Sequence, residues 1–220
     1  MKKILSLIIL ILLADYAYPQ PAKDPYAIDS TTYFFEADTV QVTPVKPYDH
    51  IIDSTFKLSS DFELELRFTE LYLSSNFDNV FILTRKNSRW TGRYFEQDPS
   101  FLPKTVFKEK HLTATDGGRL WHFLLEHDLL QLPYKTPFRN QMVEYVIDTN
   151  NLEYGGSTRH ADFIDGVAYQ FKLSAPGRTK SFCYANPQAS LKLFPNIREL
   201  YEATMVVMLI KKFLGKPVSR

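Results

Sequence analysis

The sequence predicts an α+β fold, with an antiparallel sheet of hairpins, two main helices packed on one face of it, and an extended N-terminal arm. Stretches of alternating apolar and polar residues predict strands, because successive strand side chains point to opposite faces. Short turns join these strands, which favours antiparallel pairing. Two stretches with apolar residues three and four positions apart predict helices. The order of strands, helix, strands, helix is typical of α+β domains.

Four strands are expected in the first half of the domain. Phe62, Leu64, Leu66 and Phe68 alternate with charged residues, which predicts a half-buried strand. Its polar partners Glu63 and Glu65 are expected on the solvent face. The other strands of this half are residues 80–84 and 90–96, which form a hairpin across the polar turn at 85–89, and residues 104–112.

A helix is expected after the fourth strand. Thr115 or Asp116 is its predicted N-cap, and an apolar stripe at spacings of three and four follows. The helix should end near His127 or Asp128, because Pro133 prevents it from continuing much further.

The second half predicts three more strands. The stretch MVEYVID, residues 142–148, is the first of them. Residues 167–175 and 179–185 flank Pro176–Gly177, a dipeptide that marks a tight turn. These two strands are therefore expected to form a second hairpin.

A final helix is predicted from Ile197 to Leu214. Asn196 is its expected N-cap, and Glu199 is expected to complete a capping box. Its stretch MVVMLI is apolar nearly all round, so this helix should be largely buried.

The N-terminus has the layout of a secretory signal peptide over residues 1–18. Lys2 and Lys3 precede ten mainly apolar residues, a run shorter than the roughly 20 that cross a bilayer. A proline-rich extended arm is expected at 19–58, and a single α+β domain at 59–216. The protein is therefore expected to be exported to the periplasm or the cell exterior, with no transmembrane segment once the signal is removed.

Charge and cysteine content narrow the classes of partner. The 26 basic and 25 acidic residues fall to 24 of each when the signal's two lysines and one aspartate are removed. This balance argues against a nucleic-acid partner. The single cysteine, Cys183, lies in an alternating apolar stretch and is interpreted as a small core residue.

The stretch YGGSTRHADFID, residues 154–165, is the most compact group of serine, histidine and aspartate. Ser157 lacks the second glycine and the following helix of a nucleophile elbow, so it is not expected to be catalytic. The stretch is interpreted as a loop between strands. His160, Asp162 and Asp165 remain the weak catalytic candidates, and they define an alternative function, a hydrolase of unrecognised type.

No metal or cofactor is expected. A zinc site usually requires three or four ligands, preferably histidines or cysteines, and the other histidines are scattered. His122 and His127 are five positions apart on the predicted helix, which points them in different directions.

The preferred function is non-catalytic binding. Trp90, Arg93 and Tyr94 in the first hairpin are the predicted binding residues, on an aromatic and arginine-bearing face of the sheet. The partner is expected to be a protein or a small molecule in the cell envelope. A structural component of an envelope complex is a further possibility.

Several segments carry a resemblance to known sequences. The hairpin containing Trp90 and the strand DGVAYQF, residues 165–171, resemble a group of uncharacterised exported proteins from Bacteroidota-type bacteria. The resemblance covers about residues 60–214. It implies a bacterial envelope location, and because the group has no assigned activity it implies no catalytic residue.

Overall fold

A computed structural model describes residues 55–56, 61–72, 78–98, 106–110, 117–133, 142, 144–146, 157–159 and 166–217. Six antiparallel strands form the main sheet in the order β4-β3-β2-β1-β7-β8. They are β1 (Leu64–Tyr72), β2 (Asp78–Lys86), β3 (Arg89–Gln97), β4 (Phe107–Lys110), β7 (Val167–Ala175) and β8 (Arg178–Ala185). A separate pair consists of β5 (Glu144–Val146) and β6 (Ser157–Arg159). The helices are α1 (Gly117–Glu126), α2 (Pro187–Leu193) and α3 (Arg198–Phe213). The predicted α+β class is confirmed.

Both predicted hairpins are present, and their turn residues explain their geometry. Asn87 and Ser88 both have positive φ, 48° and 59°, as a two-residue turn between β2 and β3 requires. This turn is shorter than the five residues expected from the sequence. Pro176–Gly177 connects β7 to β8, and Gly177 has a φ of 74°, a conformation that glycine adopts without strain.

One face of the sheet carries the helices, which we call the helix face. Its main core contains Phe68, Phe81 and Phe171, which the strand register places side by side in β1, β2 and β7. Trp121 of α1 and Val207 of α3 belong to the same buried cluster. The opposite face has a smaller apolar cluster, against which the half-buried Cys183 packs.

β1 lies in the middle of the sheet between β2 and β7, and its side chains are buried on both faces, where they join the two apolar clusters. The expectation that Glu65 faces solvent is therefore wrong: only 6 % of the residue is exposed. Its carboxylate lies 3.0 Å from Arg67, and Arg67 Nη2 also donates to the Phe56 carbonyl at 2.5 Å. Alternation alone could not distinguish an exposed carboxylate from one that is buried with a partner.

The helix ends differ from the expectations. The N-cap of α3 is Ile197 rather than Asn196, and it makes no side-chain capping hydrogen bond. Helix α2 was not expected, although Asn186 precedes Pro187, a residue favoured in the first turn of a helix. The Asn186 side chain makes no capping hydrogen bond to α2. It accepts a hydrogen bond from the Val167 amide at 2.8 Å.

The stretch interpreted as a loop contains a strand. Residues 157–159 form β6 and pair with β5, so the loop interpretation is wrong for Ser157. The predicted strands at 142–148 and 104–112 are present as the shorter β5 and β4. The predicted signal peptide and nearly all of the arm, like the caps at Thr115 and Asp116, lie outside the described residues.

Candidate functional site

The three predicted binding residues of β3 do not share a face. Tyr94 pairs with Phe81 and Trp90 with Arg85, on the helix face, whereas Arg93 pairs with Ile82 on the opposite face. Tyr94 is only 3 % exposed. The expectation of one exposed surface containing all three residues is therefore wrong, because neighbouring strand positions point in opposite directions.

Trp90 is part of the packing between sheet and helix. Its ring lies 5.5 Å from that of Trp121 in α1, and the Arg85 guanidinium lies 5.7 Å from its centroid. Gly117 explains the close approach of α1, because a Cβ there would lie 2.9 Å from both Leu83 Cδ1 and Trp90 Cβ. Trp90 is thus partly buried and packs against the main core between the sheet and α1.

Arg93 does lie at the surface, and its guanidinium is held in place. Its side chain is 56 % exposed. The Nε and Nη2 atoms donate to the two Glu109 oxygens at 2.8 and 3.1 Å. The guanidinium also lies 4.8 Å from the centroid of the Phe95 ring. The hydrogen bond to Glu109 is the main cause that raises the pKa of Arg93.

Other aromatic rings accompany Arg93 on this face. Phe56 lies 4.6 Å from Phe95 and 5.0 Å from Phe107, measured between ring centroids. We call Arg93, Phe95, Phe107, Phe56 and Glu109 the Arg93 face. The sheet therefore does carry an arginine with aromatic neighbours, but these neighbours are phenylalanines and not the expected Trp90 and Tyr94.

The hydrolase candidates His160, Asp162 and Asp165 lie outside the described residues. Within the described ranges, no group of three or more His, Cys, Asp or Glu side chains is placed to hold a metal ion. His122 lies 3.3 Å from Glu126, whereas His127 Nδ1 lies 2.9 Å from Glu202 of α3. The two histidines therefore have different partners.

A buried polar cluster lies between the sheet and the last turns of α3, and the sequence did not reveal it. Glu70 is 3 % exposed, and one of its oxygens accepts a hydrogen bond from Asn79 Nδ2 at 3.0 Å. Its other oxygen lies 3.5 Å from Lys211 Nζ. Lys211 also donates to the Tyr169 hydroxyl at 3.0 Å. We call these four residues the Glu70 cluster.

The cluster continues outward to the surface. Lys216 Nζ lies 2.6 Å from Glu96, and Lys110 Nζ lies 3.3 Å from the other Glu96 oxygen. Lys216 is also 4.9 Å from the centroid of the Tyr94 ring. The buried Tyr94 hydroxyl makes no hydrogen bond within the part of the chain that the structure describes.

One signal in the sequence could have indicated this cluster. Glu70 is in phase with Leu64, Leu66 and Phe68, so it lies on the same face of β1 as the core residues. A carboxylate on the buried face of a strand requires a partner. Lys211, directly after the apolar stretch MVVMLI, provides it from α3.

The pKa values of Lys211 and Tyr94 in this region are shifted away from neutral pH. Burial acts to lower the pKa of Lys211, but the hydrogen bond with Tyr169 and the charge of Glu70 outweigh it and raise the pKa. Burial raises the pKa of Tyr94, with smaller contributions from Glu70 and Glu96. Groups that titrate further from neutral pH are poorly matched to general acid or base catalysis.

Comparison with known sequences gives no family assignment. No protein-family model matches the chain, and no curated protein matches it significantly. None of the helices that the structure describes is long and apolar enough to span a membrane.

Proposed function

We propose that this chain is an exported bacterial protein that binds a partner in the cell envelope or outside the cell without catalysing a reaction. The signal-peptide pattern at residues 1–18 supports export. The resemblance of residues 60–214 to exported proteins of Bacteroidota-type bacteria supports an envelope location. The partner is a protein or a small molecule.

The observation that carries the binding proposal is the geometry of Arg93. An exposed arginine that is held by a bidentate ion pair loses less side-chain freedom when a partner binds. Phe95 is only 5 % exposed, but the half-buried Phe56 and Phe107 add apolar surface beside Arg93, and aromatic residues and arginine are enriched at binding sites. The Arg93 face therefore replaces the surface expected from Trp90, Arg93 and Tyr94.

The test compares Arg93→Ala with Arg89→Ala, a matched control in the same strand. Arg89 is also exposed, and the described contacts include none with a carboxylate for it. Partners captured by the purified mature protein from envelope and secreted fractions would be identified first, and their affinities then measured for each variant. Arg93→Ala should weaken binding about tenfold or more, as at an interface hot spot, and Arg89→Ala much less. Equal affinities for the wild type and both variants would exclude the Arg93 face.

The alternative is a hydrolase that uses His160, Asp162 and Asp165. A panel of ester, peptide, glycoside and phosphate substrates separates the two proposals. Hydrolysis by the wild type that is lost in His160→Ala would contradict a non-catalytic function. A structural role in an envelope complex would instead give stoichiometric co-purification from the host that is insensitive to Arg93→Ala.

A further inference from the structure

Polar side chains surround an exposed tyrosine where the end of α1 meets the first turns of α3. They are His127 and Asp128, directly after α1, and Arg198 and Glu202 of α3, with Tyr201 between them. We call these five residues the Tyr201 corner. Among the described residues, only Tyr201 and Leu193 are large hydrophobic residues with high exposure, 46 % and 58 %.

Hydrogen bonds and ion pairs hold the polar side chains of the corner in position. His127 Nδ1 lies 2.9 Å from one oxygen of Glu202, and Arg198 Nη2 lies 2.5 Å from an oxygen of Asp128. Arg198 Nε lies 3.9 Å from the other Glu202 oxygen. The rings of His127 and Tyr201 are 6.4 Å apart between centroids and meet edge to face. The corner therefore presents an aromatic ring beside polar groups that the fold has already oriented.

The charges of the corner compensate one another, which limits the class of ligand. Arg198 is paired with Asp128, and both His127 and Arg198 contact Glu202. The two carboxylates would repel an anionic ligand, and a cationic ligand would compete with Arg198 for them. The Arg198 and Asp128 side chains are 76 % and 42 % exposed, so they are accessible to a ligand. A neutral ligand with hydroxyl groups suits both, because each hydroxyl can donate and accept a hydrogen bond.

Asp128 has a backbone conformation that favours glycine. Its φ is 52°, and the amides of Asp128 and Leu129 donate to the Leu125 and Leu124 carbonyls at the end of α1. This pattern is the Schellman motif, in which the left-handed position is usually glycine. The ion pair of Asp128 with Arg198 is exposed and therefore adds little stability. Stability alone does not favour an aspartate here, whereas contact with a ligand would.

We propose that the Tyr201 corner binds a neutral saccharide. The apolar face of a sugar ring packs against the exposed Tyr201 ring, and adjacent hydroxyls of the sugar bond to Arg198 and Asp128. Tyrosine suits this role because its ring is rigid and apolar while its hydroxyl is polar. The proposal does not depend on the Arg93 face, because α1 and α3 cover the helix face and Arg93 lies on the opposite one.

The probes are three neutral trisaccharides, maltotriose, cellotriose and triacetylchitotriose, and the control is sorbitol. Sorbitol has adjacent hydroxyls but no ring that could pack on tyrosine. Amide chemical shifts of the ¹⁵N-labelled mature protein would be followed by NMR as each compound is added. At least one trisaccharide should shift the amides of residues 127–128 and 198–202, with a dissociation constant in the millimolar range usual for a small ligand on an exposed site. Sorbitol should bind at least about tenfold more weakly.

Variants separate this site from other causes. Tyr201→Ala should weaken trisaccharide binding about tenfold or more, whereas Tyr201→Phe keeps the ring and should retain most of the affinity. Leu193→Ala is the matched control, since it removes the other exposed hydrophobic side chain and should bind like the wild type.

Asp128→Gly distinguishes a binding role from a structural one. Glycine tolerates this backbone conformation, so the urea midpoint should stay the same or rise, while loss of the carboxylate should weaken binding about threefold or more. The proposal is overturned if no trisaccharide shifts the amides of the corner, if sorbitol binds equally well, or if Tyr201→Ala and Asp128→Gly both bind as the wild type does.

Discussion

The two faces of β1 each bury a carboxylate, but they stabilise it in different ways. On the helix face, Glu70 is paired with Lys211, a residue 141 positions away in the sequence, and with Asn79 of β2. On the opposite face, Glu65 is paired with Arg67, two positions along the same strand. The first pair therefore connects α3 to the sheet, whereas the second neutralises charge within one strand. A buried charge needs a partner, but only the Glu70 pair also fixes the position of a helix.

The largest effect is expected from Lys211→Met, which removes the positive charge but keeps most of the side-chain volume. It leaves Glu70 buried beside Asn79 without its cation, which should lower the free energy of unfolding by about 3–5 kcal/mol. Urea unfolding would measure the change. Lys212→Met is the matched control, since Lys212 is exposed and its replacement should change stability by less than about 0.5 kcal/mol.

A double variant sharpens this prediction. Glu70→Gln combined with Lys211→Met removes both charges, and it should recover much of the stability lost in the single variant. A double variant as unstable as the single one would mean that the hydrogen bond from Lys211 to the Tyr169 hydroxyl, and not the ion pair with Glu70, accounts for the loss.

Glu65→Gln should have a smaller effect, about 1–3 kcal/mol, because Arg67 keeps its hydrogen bond to the Phe56 carbonyl. Glu63→Gln provides the comparison: the Glu63 side chain is 39 % exposed, so loss of its ion pair with Arg85 should cost no more than about 1 kcal/mol. Urea unfolding of both variants would measure the two losses of unfolding free energy and show which is larger. Equal losses would contradict the different burial of the two carboxylates.

The smallest effect concerns pH and the outer part of the cluster. The hydrogen bond from Lys216 is the main cause that lowers the pKa of Glu96. A lowered folded-state pKa contributes stability that is present above the unfolded pKa of about 4.3 and lost as pH falls through the folded value. Because Glu96 is partly exposed, this contribution should be below about 1 kcal/mol.

The measurement for Glu96 is the urea midpoint between about pH 6 and pH 3, in the wild type and Lys216→Met. The variant should lose less stability on acidification than the wild type. Identical pH profiles would show that Lys216 does not set the titration of Glu96, which Lys110 also contacts.

Much of the fold could be predicted because its signals are local. Pro176–Gly177 indicated one hairpin turn, and alternation indicated β1, β2, β3, β7 and β8 within a few residues of their ends. Of the candidate binding residues, only Arg93 lies exposed as expected. Trp90 and Tyr94 were expected at the surface but pack in or against the core. An aromatic residue in a strand has the same local sequence pattern whether it covers the core or faces solvent.

The sequence by itself determined the α+β class, the hairpins and the approximate helices, because side-chain period and turn chemistry act over a few neighbouring residues. The tertiary structure decided that β1 is central, that Glu65 and Glu70 are both buried, and which cation neutralises each. The adjacent positions of Arg93 and Tyr94 in one strand require opposite orientations, but only the tertiary structure decided that Tyr94 is the buried one of the two. These outcomes depend on which distant elements cover each face. The phase of Glu70 in β1 indicates that its carboxylate needs a partner, but no local spacing identifies Lys211 as that partner.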